Sequence, residues 1–247
     1  TALPEDVEVD ETGLTIHLET AVTIAEWRNA RTGEGSLNYG YTPPTWTGSP
    51  GMILGLNADL LNQLFYGLWG ANVLDLALTE EDLGVSAEDL SILFPDMTGL
   101  TITTEPLLPL VVIPDPAGID VYELQFGDML VTLWNGDTTS GNELLQVYVT
   151  GFGGFDVAMS STTGELEPTL DDMDLYFDVV VPDANTVGAA DTEALFEILM
   201  PILLEDMIGG IGSLPIPEIE GFRMVGMTTG IGGAEDAFIT VEGDITE

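Results

Sequence analysis

The apolar positions of this chain fall into two rhythms. Between Leu54 and Leu76, Leu56, Leu60, Leu61, Leu64, Phe65, Leu68 and Trp69 recur at steps of three, four and one, which is helical spacing. Asn57 or Asp59 is placed to cap the start, and Gly70 falls where a left-handed stop belongs. The stripe is too wide for a surface helix and predicts a helix that is wrapped by other structure. A second helix is predicted from Asp191, with Glu193 in its first turn and Leu195, Phe196, Ile198, Leu199, Ile202, Leu203, Met207 and Ile208 following. It reads as apolar nearly all round. Pro201 lies inside it and is expected to kink it, and Gly209-Gly210 ends it.

The second rhythm has period two. Val7 to Ala25 alternates in part, with a turn at Asp10 to Gly13. Leu100 to Thr104, Leu107 to Ile113, Ile119 to Phe126, Met129 to Trp134, Leu144 to Ala158 and Leu166 to Val181 read as strands. The separators Asp115 to Gly118, Phe126-Gly127-Asp128, Asn135-Gly136-Asp137 and Ser160 to Gly164 have the turn chemistry of antiparallel hairpins. Pro109 marks an edge or a bulge. Thr79 to Leu83 has a capping-type start to a short helical turn, and the pattern leaves Leu90 to Phe94 ambiguous. Met224, Val225 and Met227, then Phe238, Ile239, Val241 and Ile245, predict a final hairpin. Arg28 to Pro50 is loop-rich, and Trp27, Tyr39, Tyr41 and Trp46 in or beside it either line a pocket mouth or cover a core edge.

Charge changes the picture most. Three cations, Arg28, Arg31 and Arg223, stand against 43 acidic residues, for a formal net charge of −40. Nucleic-acid phosphates need clustered cations, and none exist. Electrostatic attraction to anionic lipid surfaces is excluded for the same reason. Such self-repulsion is relieved by salt, so the surface either suits salty water or divalent cations or serves solubility alone. There is no cysteine, so disulfides and thiolate metal sites are excluded. No apolar run approaches the roughly 18 residues of a membrane-spanning helix, and no signal peptide is expected within these residues. The chain begins at Thr1 rather than Met, a hint that an upstream segment was removed.

Catalytic signals are weak. His17 lies out of phase with Ile16 and Leu18 and is expected to face solvent. There is no nucleophile elbow. The absence of lysine removes any P-loop, and Gly230 to Gly233 sits in a hairpin rather than before a helix. Asp171-Asp172-Met173-Asp174 lacks the glycine and closing glutamate of a calcium loop, so it reads as a solvated strand edge. No cofactor is expected.

Two segments together carry a likeness. Gly55 to Trp69 leads to Val73-Leu74-Asp75-Leu76, and Leu199-Met200-Pro201-Ile202-Leu203-Leu204 is followed by Leu214-Pro215-Ile216-Pro217 and Gly221-Phe222-Arg223-Met224. Glu105-Pro106-Leu107-Leu108 is a third, weaker match. The chain resembles the bactericidal/permeability-increasing protein and lipid-transfer family, the tubular lipid-binding superfamily, and is closest to the second barrel of its two-barrel members. It departs from that family in lacking basic surfaces and the frequent disulfide, which argues against binding anionic lipopolysaccharide.

The resemblance and the pattern together predict an α+β fold over residues 1–247, one domain in which a strongly curved antiparallel sheet rolls around two long apolar helices, as in a tubular lipid-binding barrel. The alternative is a β-sandwich with two helices outside. The expected function is non-enzymatic binding or transfer of a lipid or other apolar ligand in a slot between helices and sheet. Its expected lining is Leu60, Leu61, Leu64, Phe65, Leu68, Trp69, Phe196, Leu199, Ile202, Leu203 and Met207. The competing reading is an assembly module whose apolar face packs on a second barrel domain or in a homodimer. Transient membrane contact and a secreted, periplasmic or cell-surface location follow from the resemblance.

Overall fold

In the computed structural model the described residues are 2–9, 14–42, 44, 51–115, 122–160, 165–180, 187–209, 223–233 and 236–246. In chain order the elements are β1 (Ala2–Val9), β2 (Leu14–Thr20), β3 (Met52–Asn57), α1 (Ala58–Gly70), β4 (Ala77–Thr79), α2 (Glu80–Leu83), β5 (Leu100–Pro106), β6 (Val111–Pro114), β7 (Tyr122–Asn135), β8 (Asn142–Met159), β9 (Leu166–Val180), α3 (Ala189–Gly209), β10 (Arg223–Gly232) and β11 (Phe238–Thr246). All strand pairings are antiparallel.

The strands form three sheets. The main one has the order β4-β5-β7-β8-β9, with β6 also paired to β7. A second has the order β10-β11-β3, and β1 pairs with β2 alone. This overturns the expected architecture. The main sheet ends at β4 and β9, which do not pair, so it does not close. The final hairpin is present, but it joins β3 rather than the main sheet. Nor are there two long helices: α1 has 13 residues and α3 has 21. Residues 54–56, whose leucines read as the start of the helix, are the end of β3, and their apolar spacing fits a strand as well as a helix.

Of the two candidate caps, Asn57 is the one used. Asn57 holds extended backbone and its side chain accepts from the Asp59 amide at 2.8 Å. The stop differs. Ala71 is right-handed at the C-cap, and the left-handed residue is Asn72. Two structures wrap α1 where a barrel was expected. On one side Asn62, buried within the helix, donates to the Val112 carbonyl at 3.0 Å and accepts from the Val112 amide at 2.8 Å, and so pairs with β6 as a strand would. On the other side residues 21–42 run as a strap. Val22 N donates to Gln63, the Arg28 and Asn29 amides donate to Gly70 O, and the Tyr39 and Gly40 amides donate to the buried Asp59 carboxylate. Trp27 packs on Tyr66 and Trp69 at centroid distances of 5.4 and 5.7 Å. It lies so close that a Cβ on Gly70 would sit 2.4 Å from its ring. Trp27, Tyr39 and Tyr41 thus belong to a cover over α1; Trp46 lies outside the described residues.

Strands β7 and β9 each contain a bulge that the sequence does not announce. Buried residues alternate as Tyr122, Leu124, Phe126 and then as Met129, Val131, Leu133. The phase changes at Gly127-Asp128, read from sequence as a hairpin turn. Asp128 has φ 48°, and the register slips between Phe126 and Met129. One long strand with a bulge keeps both apolar sets on the core side. In β9 the slip lies between the partners of Phe152 and Gly154, with Asp172 at φ 43°. It keeps Leu166 and Leu170 on the same side as Met173, Leu175, Phe177 and Val179. The Asn135-Gly136-Asp137 turn is a true hairpin connection. Asp137 accepts from the amides and hydroxyls of Thr139 and Ser140 at 2.6–2.8 Å, and these bonds hold its carboxyl well below the usual range.

Helix α3 is apolar nearly all round, as expected, but it is buried on one side only. Leu195, Phe196, Leu199, Met200, Leu203, Leu204, Met207 and Ile208 are buried, while Glu193, Glu197, Ile198, Pro201, Glu205 and Asp206 are exposed. The helix continues through Pro201. On β2, Ile16 is exposed and His17 only partly so, the reverse of the expected phase. The expected turns at 10–13, 116–118 and 161–164, and residues 214–217 and 221–222 of the likeness, lie outside the described residues.

Candidate functional site

Helix α3 lies against β9. The contact is closed where Phe196 meets Phe177, with ring centroids 6.3 Å apart. Toward the start of β9 the two elements leave a groove of about 1120 Å³ between residues 165–175 and 197–209. Its apolar lining comes from Leu170, Met173 and Leu175 on the strand and from Pro201, Leu204 and Ile208 on the helix.

The depth of the groove has a local cause in β8. Gly151 pairs with Leu175 of β9, Gly153 sits at the register slip between Phe152 and Gly154, and both are buried. A Cβ on Gly153 would sit 2.3 Å from the Met173 sulfur, and one on Gly151 would sit 2.8 Å from both Leu175 and Phe126. The missing side chains let Met173 and Leu175 settle onto the β8 backbone instead of standing up into the groove. Methionine suits such a floor, since its unbranched chain adapts to what lies on it.

The rim is acidic. Glu167, Asp171, Asp172 and Asp174 on β9 and Glu197 and Glu205 on α3 border the groove, and all six side chains are exposed; along β9, Glu167, Asp171 and Asp174 alternate with the apolar floor residues and so belong to the other face of the strand. Among the described residues no arginine or histidine lines the groove. Pro201, having no N–H, cannot donate to the Glu197 carbonyl one turn back. The aspartates read as a solvated strand edge are solvated, and they also border this opening. Among the described residues no group of three His, Asp or Glu side chains is placed to hold a metal ion, and no helix is long and apolar enough to cross a membrane.

None of the eleven residues expected to line a slot borders this groove. Leu61, Phe65, Trp69, Phe196, Leu199, Leu203 and Met207 are buried in the core, where Phe65 meets Phe155 edge-on at 6.0 Å. Leu68 and Ile202 are partly buried against that core. Leu60 and Leu64 are half-buried on α1. The groove residues that sequence reasoning passed over left faint signals: the Met173 and Leu175 alternation, and the one-turn pair Leu204 and Ile208.

A second, shallower hollow of about 450 Å³ is bordered by Leu107, Asp128, Tyr148, Thr150, Tyr176, Phe177 and Asp178.

No protein-family model matches this chain, and none of the curated proteins does. Among solved structures it is similar to one described as the crystal structure of lipopolysaccharide binding protein, with 10% sequence identity and a TM-score of 0.37. The match covers 95% of this chain and 50% of the other, so this chain spans half the length of that relative.

Proposed function

We propose that this protein is a non-enzymatic binder of a lipid or another apolar chain, which it holds in the groove between α3 and β9. The observation that carries the reading is the groove itself. Its volume of about 1120 Å³ lies just above the roughly 300–1,000 Å³ of ordinary small-ligand sites, and its floor is made of leucine, isoleucine, methionine and proline. An exposed trough of this kind gains from taking up apolar surface, at about 25 cal/mol per Å² removed from water. The sequence resemblance to lipid-transfer proteins makes a lipid the first ligand to test.

The test has two arms. Organic extraction of the purified protein, followed by mass spectrometry, identifies any chain-bearing molecule carried through purification. A fluorescent acyl-chain probe is then titrated into wild type and into Leu170→Trp and Met173→Trp. Both positions are only partly buried, so a larger side chain has the groove to occupy, and the strain of overpacking a filled core is avoided. The expected result is binding by wild type and at least a tenfold loss in each variant at unchanged fold. A wild type that takes up no acyl chain overturns the reading.

A further inference from the structure

The face of β8 and β9 turned away from α3 carries the second, smaller hollow, and its chemistry is unlike that of the groove. Phe177 points at the helix, where it meets Phe196, so its neighbours Tyr176 and Asp178 project from the opposite face of the sheet. There the register sets Tyr148 against Asp178 and Thr150 against Tyr176. Phe152 lies diagonally across from Tyr176, and the two rings stack with centroids 6.2 Å apart and an interplanar angle of 29°. Tyr176 is 60% exposed and Phe152 36%, so the pair presents one broad aromatic surface to solvent. The β7 bulge builds the far wall. Asp128, at φ 48°, donates its amide to Thr150 Oγ1 at 3.2 Å, and its carbonyl accepts from the Leu107 amide at 3.2 Å. The hollow between wall and rings, about 450 Å³, is therefore bordered by two tyrosines, a threonine hydroxyl held by its acceptor side, and the carboxylates of Asp128 and Asp178.

We propose that this hollow binds a neutral saccharide, with a pyranose ring lying on Tyr176 and ring hydroxyls donating to Asp128 and Asp178. One face of a pyranose is a patch of polarised C–H bonds, and it stacks on the negative face of an aromatic ring. Its edge is a girdle of hydroxyl donors, for which ionised carboxylates are strong acceptors. Thr150, whose oxygen already accepts from Asp128, keeps its hydroxyl proton to donate to a sugar oxygen. Phe152 holds the Tyr176 ring in place before anything binds, which lowers the ordering cost. The volume falls within the roughly 300–1,000 Å³ of small-ligand sites.

Other ligand classes fit less well. A phosphate or carboxylate finds no counter-charge, because among the described residues no cation borders the hollow and the chain has no lysine. A purely apolar ligand strips water from two carboxylates and offers them no donor. A compact ammonium is best held by rings set at angles around it, whereas Phe152 and Tyr176 lie nearly flat to each other. The site is on the other face of the sheet from the groove, and the proposal does not depend on the apolar-chain reading.

The experiment is saturation-transfer NMR and titration calorimetry on the full chain with maltotriose, cellotriose, mannotriose and chitotriose. Sorbitol is included as a polyol without a ring face, and tetramethylammonium as a cation without hydroxyls. The variants are Tyr176→Ala, Tyr176→Phe, Asp178→Ala and, at an exposed site on α3, Ile198→Ala. Tyr176 is exposed enough for its truncation to leave the fold intact, which circular dichroism checks. Expected is binding of at least one trisaccharide, with saturation strongest at the C–H protons of one ring face. Affinity falls at least tenfold in Tyr176→Ala and in Asp178→Ala. It stays within about twofold of wild type in Tyr176→Phe, which keeps the ring, and in Ile198→Ala. Failure of all four trisaccharides to bind wild type overturns the proposal. So does undiminished binding by Tyr176→Ala, equal binding of sorbitol, or tetramethylammonium binding tighter than every saccharide, which would make the hollow a cation site.

Discussion

Single side chains do unusual work around α1. Asn62 is a buried amide whose two ends match both backbone groups of Val112. It solves two problems at once: the side chain would otherwise be an unsatisfied polar group in the core, and β6 would otherwise present an unpaired edge to the helix. Replacing it with alanine orphans the Val112 N–H and C=O, at about 1–3 kcal/mol for each group left unsatisfied. Asn62→Ala is thus expected to lower the denaturant midpoint far more than the one hydrogen bond's net contribution of about 1 kcal/mol, as urea unfolding will check. Asp75 is a residue-scale weakness. Burial raises its pKa first, Glu105 adds to the rise, and Arg31, ion-paired to Glu105, opposes it. A carboxyl whose folded pKa lies above its unfolded value favours folding below the unfolded pKa, and that contribution is lost as pH rises through the folded pKa. Asp75→Asn is therefore expected to raise the melting temperature at pH 7, with the gain fading as pH falls below about 4, the range of an ordinary aspartate. A gain that persists unchanged at pH 3 would exclude a titration origin.

At the scale of elements, α3 decides what is core and what is groove. Leu203 and Leu204 are neighbours in sequence and both are buried, yet only Leu204 borders the groove. A step of about 100° around the helix separates them. Leu203 has no exposed surface, so Leu203→Ala is expected to destabilise the fold by about 2–5 kcal/mol through the cavity it leaves. Calorimetric or denaturant unfolding reads that value directly. A loss below about 1 kcal/mol would mean that the space around Leu203 is not packed as a core, and it would restore Leu203 to the ligand site. The bulges belong to this scale too. A residue pair such as Gly127-Asp128 is equally able to turn a chain back or to slip a strand by one register. The slip occurs because the sides of β7 before and after it both carry apolar residues for the same core.

The whole molecule is dominated by its charge. With −40 formal charges and only three arginines, long-range repulsion opposes compaction at low ionic strength. Raising NaCl from low salt to about 1 M shortens the Debye length to about 3 Å and is expected to raise the melting temperature. Calcium does the same at lower concentration by pairing carboxylates. A melting temperature indifferent to both sinks the idea of a salt-adapted surface. The charge is also unevenly useful, since the main sheet leaves β9 at its edge, and the aspartates of that strand discourage edge-to-edge pairing with another chain.

Much of this protein was legible in its residues alone because the responsible interactions are local. The choice of Asn57 or Asp59 as the cap, the two bonds that Thr79 donates to the Asp82 carboxylate, the period-two runs of β5, β7, β8 and β9 and the final hairpin all depend on side chains within a few positions of one another. What the tertiary structure decided is whatever depends on distant partners. Apolar residues at 54–56 became strand because β11 pairs with them. Helix α1 is covered by the strap and β6, so its wide stripe required no barrel. The C-terminal hairpin joined β3 and not the main sheet, whose edge strands β4 and β9 do not pair among the described residues. And the apolar faces became core or groove according to where α3 and β9 separate, which no periodicity encodes, since burial and ligand contact ask for the same residue types.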